Sequence, residues 1–145
     1  MQKNIYEIFE EFEKAPTLED KANVLRFNDG YALHAILRAA FHPHIRFLVD
    51  RVPQYKPNDA PPGLGWTTLH KEINRIYLFE NGNPKRPAGL TEDRMYILLT
   101  QILESLEAKE AIVFSNALLK DLKVRDLNDT VIKMAFPYKW KEILG

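Results

Sequence analysis

The sequence predicts an all-α fold: a single compact domain of about eight short helices with two loops rich in proline and glycine. Three observations lead to this prediction. Apolar residues recur at the three-and-four spacing of a helix face, and residues that cap helices precede several of these segments. Between turn signals, polar and apolar residues nowhere alternate over five positions. A chain of 145 residues can bury one hydrophobic core, so we expect one α-helical domain over residues 1–145.

Three helices are predicted in the first third of the chain. The first has its apolar face at Ile5, Ile8, Phe9 and Phe12 and ends at Pro16. Thr17 caps a second helix that extends to about Phe27. The third carries Leu33, Ile36, Leu37, Ala40 and Phe41 and ends at Pro43. The following stretch HIRFLVD, residues 44–50, is either a short helix or an extended segment.

Two loops and three further helical regions follow. Residues 51–65 contain four prolines and two glycines and predict a long loop. The helical period resumes from Trp66 to Phe79, and residues 80–89 form the second loop. Thr91 caps a central, heavily buried helix with apolar residues at Met95, Leu98, Leu99, Ile102, Leu103 and Leu106. The period continues through Phe114 to Leu122, and Asn128 caps a last short helix that ends at Pro137.

Several classes of active site are absent from the sequence. Without cysteine the chain has no disulfide, thiol nucleophile or zinc–thiolate site, and no phosphate-binding glycine loop or nucleophile elbow is present. His42 and His44 lack the spacing of a metal site and are interpreted as helix-end histidines. We therefore expect no catalytic residue, metal or cofactor, and a non-enzymatic protein.

Charge and hydropathy restrict the partners. Lysine and arginine together number 20, as do aspartate and glutamate, and a zero net charge is unusual for a general nucleic-acid binder. The charge is uneven, however: residues 1–20 are acidic, whereas residues 34–56 and 118–145 are mildly basic. No apolar run has the length of a membrane span or the pattern of a signal peptide, so a cytoplasmic protein without a membrane partner is expected.

The end of the chain carries a resemblance. Lys120-Asp121-Leu122, the link KVRDLND and the capped helix TVIKMAFP resemble the end of the N-terminal α-helical DNA-binding domain of ATP-dependent DNA ligases. LLTQILESLEAKEAIVFSNALL resembles the penultimate helix pair of that domain, and YALHAILRAAFHPHIRFLVDRVP resembles an early segment. The similarity spans most of residues 4–137. The chain is also similar to a family of small T4-like bacteriophage proteins of unknown function, which implies the host cytoplasm as its location.

The resemblance implies a fold and a binding mode, but no ligase activity. The catalytic motif Lys-x-Asp-Gly and a second domain are absent, and Val124 and Arg125 occupy a link where these ligase domains usually have a small residue. The implied function is weak, sequence-nonspecific binding of duplex DNA through phosphate contacts. The matching positions are Lys120, Lys123, Arg125, Asn128, Thr130 and Lys133, joined by Arg38, His44 and Arg46 and by Lys85 and Arg86 in the second loop.

Two alternatives remain open. The zero net charge, the acidic first helix and the proline-rich loop favour a protein-interaction module that binds a host or phage protein, or a structural component of the phage particle. Tyr55, Leu64 and Trp66 are then the candidate partner-binding residues, because exposed aromatic side chains anchor interfaces. An enzyme built from scattered residues is the third possibility. Convergence of the basic segments on one face would favour DNA, and the oligomeric state stays open.

Overall fold

The computed structural model describes residues 3–61 and 64–145. These residues form eight α-helices and one 3₁₀ segment joined by loops, and they contain no β-strand. The helices are α1 (Ile5–Lys14), α2 (Leu18–Phe27), α3 (Tyr31–Phe41), α4 (Leu69–Glu72), α5 (Glu92–Ser105), α6 (Ala108–Leu118), α7 (Asp129–Ala135) and α8 (Trp140–Leu144), and the 3₁₀ segment is Ile73–Phe79. The predicted all-α class is confirmed. Within these described ranges, no helix has the length and apolar character needed to cross a membrane.

The predicted helix starts are confirmed at three positions. Thr17, Thr91 and Asn128 each accept a hydrogen bond from the backbone N–H three residues later, at 3.1, 3.2 and 3.1 Å. Each side chain thereby satisfies one of the backbone donors that a helix start leaves without an intrahelical partner. These local bonds explain why α2, α5 and α7 begin where the sequence predicts.

The core is one cluster built around α3, α5 and α6. The predicted inner face of α1 is buried, with Phe12 inaccessible to solvent. Phe79 and Phe114 are equally buried and meet edge to face, with ring centroids 6.1 Å apart. Burial of one such side chain stabilises the fold by about 1.5–3 kcal/mol. The long-range packing of α1, α3, α5 and α6 therefore rests on the apolar stripes that the sequence displays.

The stretch after α3 is extended, which settles the two alternatives for residues 44–50. The N–H of Leu48 donates to the carbonyl of Phe79 at 2.8 Å, and the N–H of Asn81 donates to the carbonyl of Arg46 at 2.7 Å. These bonds pair the stretch with the end of the 3₁₀ segment, where Phe47 and Glu80 form an isolated bridge. A helix at this position would lose the pairing.

Three other boundaries correct the sequence prediction. The helix expected from Trp66 begins only at Leu69 and tightens into the 3₁₀ segment, and α6 ends at Leu118 rather than Leu122. Pro137 does not end the last helix of the chain, because α8 follows it. Ile143 of α8 is 1% exposed, and the helix packs against α3. Packing on α3 therefore orders a helix that the sequence pattern did not predict.

The proline-rich loop is docked on the junction between α5 and α6. Asn58 forms an isolated bridge with Glu107, and the N–H of Lys56 donates to the Glu104 carboxylate at 2.8 Å. A Cβ atom on Gly65 would lie 3.2 Å from the backbone nitrogen of Glu107, so any side chain here would force the two chain segments apart slightly. Residues 62–63 of the predicted loop lie outside the described residues.

Candidate nucleic-acid interface

The carboxyl end of α3 carries basic residues before and after Pro43. The N–H of His42 donates to the carbonyl of Arg38 at 2.9 Å and closes the helix. The N–H of His44 donates to Nδ1 of His42 at 3.2 Å, and the two rings lie 5.7 Å apart. Both histidines therefore lie at a helix end, as predicted. No group of three or more histidine, aspartate or glutamate residues with metal-binding geometry occurs in the described chain.

Lys120 reaches this helix end from the link after α6. Its ammonium donates to the carbonyl of Ala39 at 2.6 Å and to that of His42 at 3.0 Å. It also lies 5.8 Å from the ring centroid of Phe47. Burial lowers the pKa of Lys120, and the charge of Arg46 lowers it further. Two of the three N–H donors of Lys120 thus satisfy carbonyl groups at the end of α3, which is a structural role. Its contact with a phosphate stays a prediction.

The Lys120 contact brings two basic segments together that are far apart in the sequence. Burial lowers the pKa of His42, and the charges of Arg38, His44 and Lys120 lower it further, so this imidazole is neutral at pH 7. A depression of about 260 Å³ next to α3 is lined by both Lys120 and Lys123. We call the set Arg38, His42, His44, Arg46, Lys120 and Lys123 the basic corner.

Three cations of the basic corner are available to a ligand. The side chains of Arg38, Arg46 and Lys123 are exposed, and none forms an ion pair or hydrogen bond with the residues that the structure describes. Lys123 has a backbone φ of 57°, and its N–H donates to the Asp121 carboxylate at 3.1 Å. A left-handed backbone of this kind is uncommon for a residue other than glycine.

The four candidate phosphate contacts that follow Lys123 in the sequence lie outside the basic corner. The backbone N–H of Arg125 donates to the Glu13 carboxylate at 2.8 Å, and its guanidinium donates to the Glu13 carbonyl at 3.2 Å, which fastens the link to α1. The side-chain oxygen of Asn128 is engaged in its helix cap. Thr130 is exposed on α7, and Lys133 lies over the Trp140 ring at 4.6 Å. These four residues do not belong to the basic corner.

The two candidate phosphate contacts in the second loop, Lys85 and Arg86, differ in their surroundings. The guanidinium of Arg86 donates to the carbonyl of Leu78 at 2.8 Å, so it ties the loop to the 3₁₀ segment. This bond uses one of the guanidinium donors, and the phosphate contact expected of Arg86 stays a prediction. Lys85 is exposed, and the loop begins beside the basic corner through the bond between Asn81 and the carbonyl of Arg46.

The candidate partner-binding residues also differ among themselves. Trp66 is 89% exposed and Leu64 is 69% exposed. Tyr55 is half-buried against the core, and burial raises the pKa of its hydroxyl. Tyr55 therefore pins the proline-rich loop, whereas Leu64 and Trp66 present apolar surface to solvent.

Sequence reasoning missed a buried acidic cluster beneath that loop. Glu107 is 7% exposed and accepts a hydrogen bond from the Tyr6 hydroxyl at 2.6 Å. Glu110 is 2% exposed, and burial raises its pKa to about 7, with the nearby charges of Glu107 and Glu7 adding to the shift. The helical spacing of the sequence could have predicted the burial of Glu110. This residue precedes the inward-facing Phe114 by four residues and therefore lies on the same face of the helix.

A comparison with protein families identifies one match. The sequence model of the family of unknown function DUF6433 matches residues 8–126, which is most of the chain. The chain belongs to this family. The DUF6433 match includes the whole basic corner and the buried acidic cluster, and it ends before α7. No curated protein matches the sequence significantly.

Proposed function

We propose that this DUF6433 protein is a non-catalytic phage accessory protein that binds duplex DNA weakly and without sequence preference. The basic corner makes the phosphate contacts. The observation that carries the proposal is the contact of Lys120 with the end of α3, where Arg38 lies near His42 and Arg46 near Lys120. The same contact brings the link that contains Lys123 against Ala40 and Phe41 of α3. A chain of zero net charge attracts a polyanion only where its cations cluster in this way.

The chemistry of the corner suits a phosphate backbone. Arginine side chains form paired, charge-assisted hydrogen bonds with phosphate oxygens, and a neutral imidazole contributes an N–H donor. Such contacts position a protein on DNA without reading its sequence. Because Arg38, Arg46 and Lys123 are the available cations, binding should release about three counterions and give a slope near −3 for log K against log salt.

The resemblance to the ligase DNA-binding domain supports the same proposal. Residues 31–53 and 98–137 carry that resemblance, and each of these two ranges contributes cations to the basic corner. Since the ligase catalytic lysine motif is absent from the sequence, the proposed role is binding alone.

Fluorescence anisotropy with a labelled intact duplex and a labelled nicked duplex tests the proposal. We expect binding at low salt that weakens steeply at physiological salt, and its loss in the double variant Arg38→Glu/Arg46→Glu. Lys56→Glu is the matched control, because Lys56 lies far from Lys120 in the basic corner. Lys56 is next to Glu104, near the start of α6, whereas Lys120 follows the end of α6. The helix between them is about 16 Å long.

Two results would contradict the proposal. One is the absence of binding to either duplex at low salt by a protein whose circular dichroism shows a helical fold. The other is equal binding by the double variant and the Lys56→Glu control, which would place the contacts outside the basic corner.

A second candidate function rests on Trp66, which is 89% exposed beside the exposed Leu64. Aromatic side chains at this exposure are typical anchors of protein interfaces. Under this hypothesis, a tagged protein retains a specific partner from infected cells and the variant Trp66→Ser/Leu64→Ser loses it. Equal retention by the wild type and the variant would remove this candidate.

A further inference from the structure

A groove along α3 lies next to the basic corner. It has a volume of about 550 Å³ and lies between α3, the 3₁₀ segment and α8. Ala35, Ala39 and Ile76 contribute to its apolar lining. From Tyr31 to Ala39 the groove follows α3 for about 12 Å. Its volume falls within the range of small-molecule sites, roughly 300–1,000 Å³.

The polar groups of the groove are placed unevenly around this apolar lining. Arg38 lines it and also belongs to the basic corner, so the groove and the corner share one exposed cation. Glu142 and Glu80 supply carboxylate acceptors, and one oxygen of Glu80 already accepts a hydrogen bond from the Asn83 side chain at 2.6 Å. The Asp29 carboxylate is already engaged, since its oxygens lie 2.5 Å from Nε2 of His34 and 3.0 Å from the Lys139 ammonium.

An exposed aromatic side chain, Tyr31, also lines the groove. Tyr31 begins α3 and is 69% exposed. An exposed aromatic ring next to an apolar cleft is a stacking surface for a planar group, and it accepts any nucleobase because every base has a π-face.

We propose that the α3 groove binds one nucleotide, with the base over the apolar lining beside Tyr31 and the phosphate on Arg38. The exocyclic amino groups or sugar hydroxyls then donate hydrogen bonds to Glu142 or Glu80. The nucleotide is either a free mononucleotide or an unpaired nucleotide of a DNA strand whose backbone lies on the basic corner. The second source rests on the proposed DNA binding, whereas the first does not.

Neither a simple anion nor a purely apolar molecule fits the groove as well. Inorganic phosphate would use Arg38 and leave the apolar lining in water. A hydrocarbon would cover Ala35 and Ile76 and leave Arg38 and Glu142 without partners. A ligand with a planar body, hydrogen-bond donors and one anionic end satisfies all three parts of the groove at once.

Titration of the ¹⁵N-labelled protein with dAMP and with deoxyadenosine, followed by NMR, tests the groove directly. We expect shifts at Tyr31, Ala35 and Arg38, and dAMP should bind at least about tenfold more tightly because its phosphate forms charge-assisted bonds. Arg38→Gln should remove that difference between the two ligands. Ala35→Phe should abolish both interactions by filling the groove, and the exposed Tyr31→Ser provides a second variant if Ala35→Phe unfolds.

A duplex with one unpaired 3′ nucleotide, compared with a blunt duplex, distinguishes the two sources. If the strand end is the ligand, the wild type prefers the overhang several-fold and Ala35→Phe binds both duplexes like blunt DNA. Binding of dAMP in the groove without any duplex binding supports a free nucleotide and contradicts the proposed DNA function. Duplex binding with neither dAMP shifts nor an overhang preference overturns the groove proposal and leaves the DNA function standing.

Discussion

The ammonium of Lys120 lies 2.6 Å from the carbonyl oxygen of Ala39, 81 residues earlier in the chain. This hydrogen bond closes the end of α3, where backbone carbonyls have no intrahelical donor. The same contact draws the link after α6 against the cations that follow α3. Lys120, which the sequence suggests as a phosphate contact, thus holds the link after α6 against the end of α3.

Replacement of Lys120 should therefore lower stability. Lys120→Met removes two hydrogen bonds from a charged donor to the end of α3, and we expect the free energy of unfolding to fall by about 1–3 kcal/mol. Urea denaturation followed by circular dichroism measures the change. Lys123→Met is the control, since the Lys123 side chain is exposed and should matter by less than about 0.5 kcal/mol. Equal effects of the two variants would contradict this role of Lys120.

The left-handed conformation of Lys123 gives a stabilising prediction. A non-glycine residue at its φ of 57° costs roughly 1–2 kcal/mol, and glycine avoids most of this at an entropic cost of about 0.5–1 kcal/mol. Lys123→Gly should raise the free energy of unfolding by about 0.5 kcal/mol. Gln101→Gly, inside α5, should lower it by about 1 kcal/mol. Thermal and urea unfolding of both variants check the opposite signs, and destabilisation by Lys123→Gly would refute the prediction.

The buried carboxyl of Glu110 predicts a pH dependence of stability. Its folded-state pKa is about 7 against an ordinary value of 4.5, so the folded chain holds this proton more tightly than the unfolded chain. The resulting stability is fully present below pH 4.5 and is lost as the pH rises to about 7, an effect of about 2–3 kcal/mol.

The variant Glu110→Gln isolates this effect from the titration of other carboxyl groups. It retains the shape of the side chain without its titration, so its stability relative to wild type should improve between pH 4.5 and pH 8. Urea denaturation of both proteins across this range measures the difference. A difference that does not change with pH would show that Glu110 titrates normally.

The bond between Tyr6 and Glu107 joins α1 to the start of α6. Burial, with the nearby Glu107 carboxylate, raises the pKa of Tyr6 to about 12, so its hydroxyl is a donor at neutral pH. Tyr6→Phe should cost about 1–3 kcal/mol because the buried carboxylate loses a partner. Tyr138→Phe is the matched control, as Tyr138 is 97% exposed. A neutral effect of Tyr6→Phe on the unfolding free energy would count against this link.

Much of the fold could be predicted from the sequence because its signals are local. The caps at Thr17, Thr91 and Asn128 act within three residues, and the apolar spacing of α1 and α5 directs their inner faces. Where tertiary packing decides, as in α8 and the extended stretch 44–50, the prediction was wrong or left open. The binding candidates were the least predictable, since a lysine that fastens a helix and one that faces solvent look alike in a sequence.

The sequence by itself thus determined the all-α class, the starts of α2, α5 and α7 and the apolar stripes of the core. Only the tertiary structure decided that Lys120 and Arg86 turn inward to carbonyl groups and that Arg38, Arg46 and Lys123 remain available. The physical reason is the range of the interactions. A cap or a stripe depends on neighbours within a turn or two, whereas the partners of a long cationic side chain are set by elements that meet only after folding.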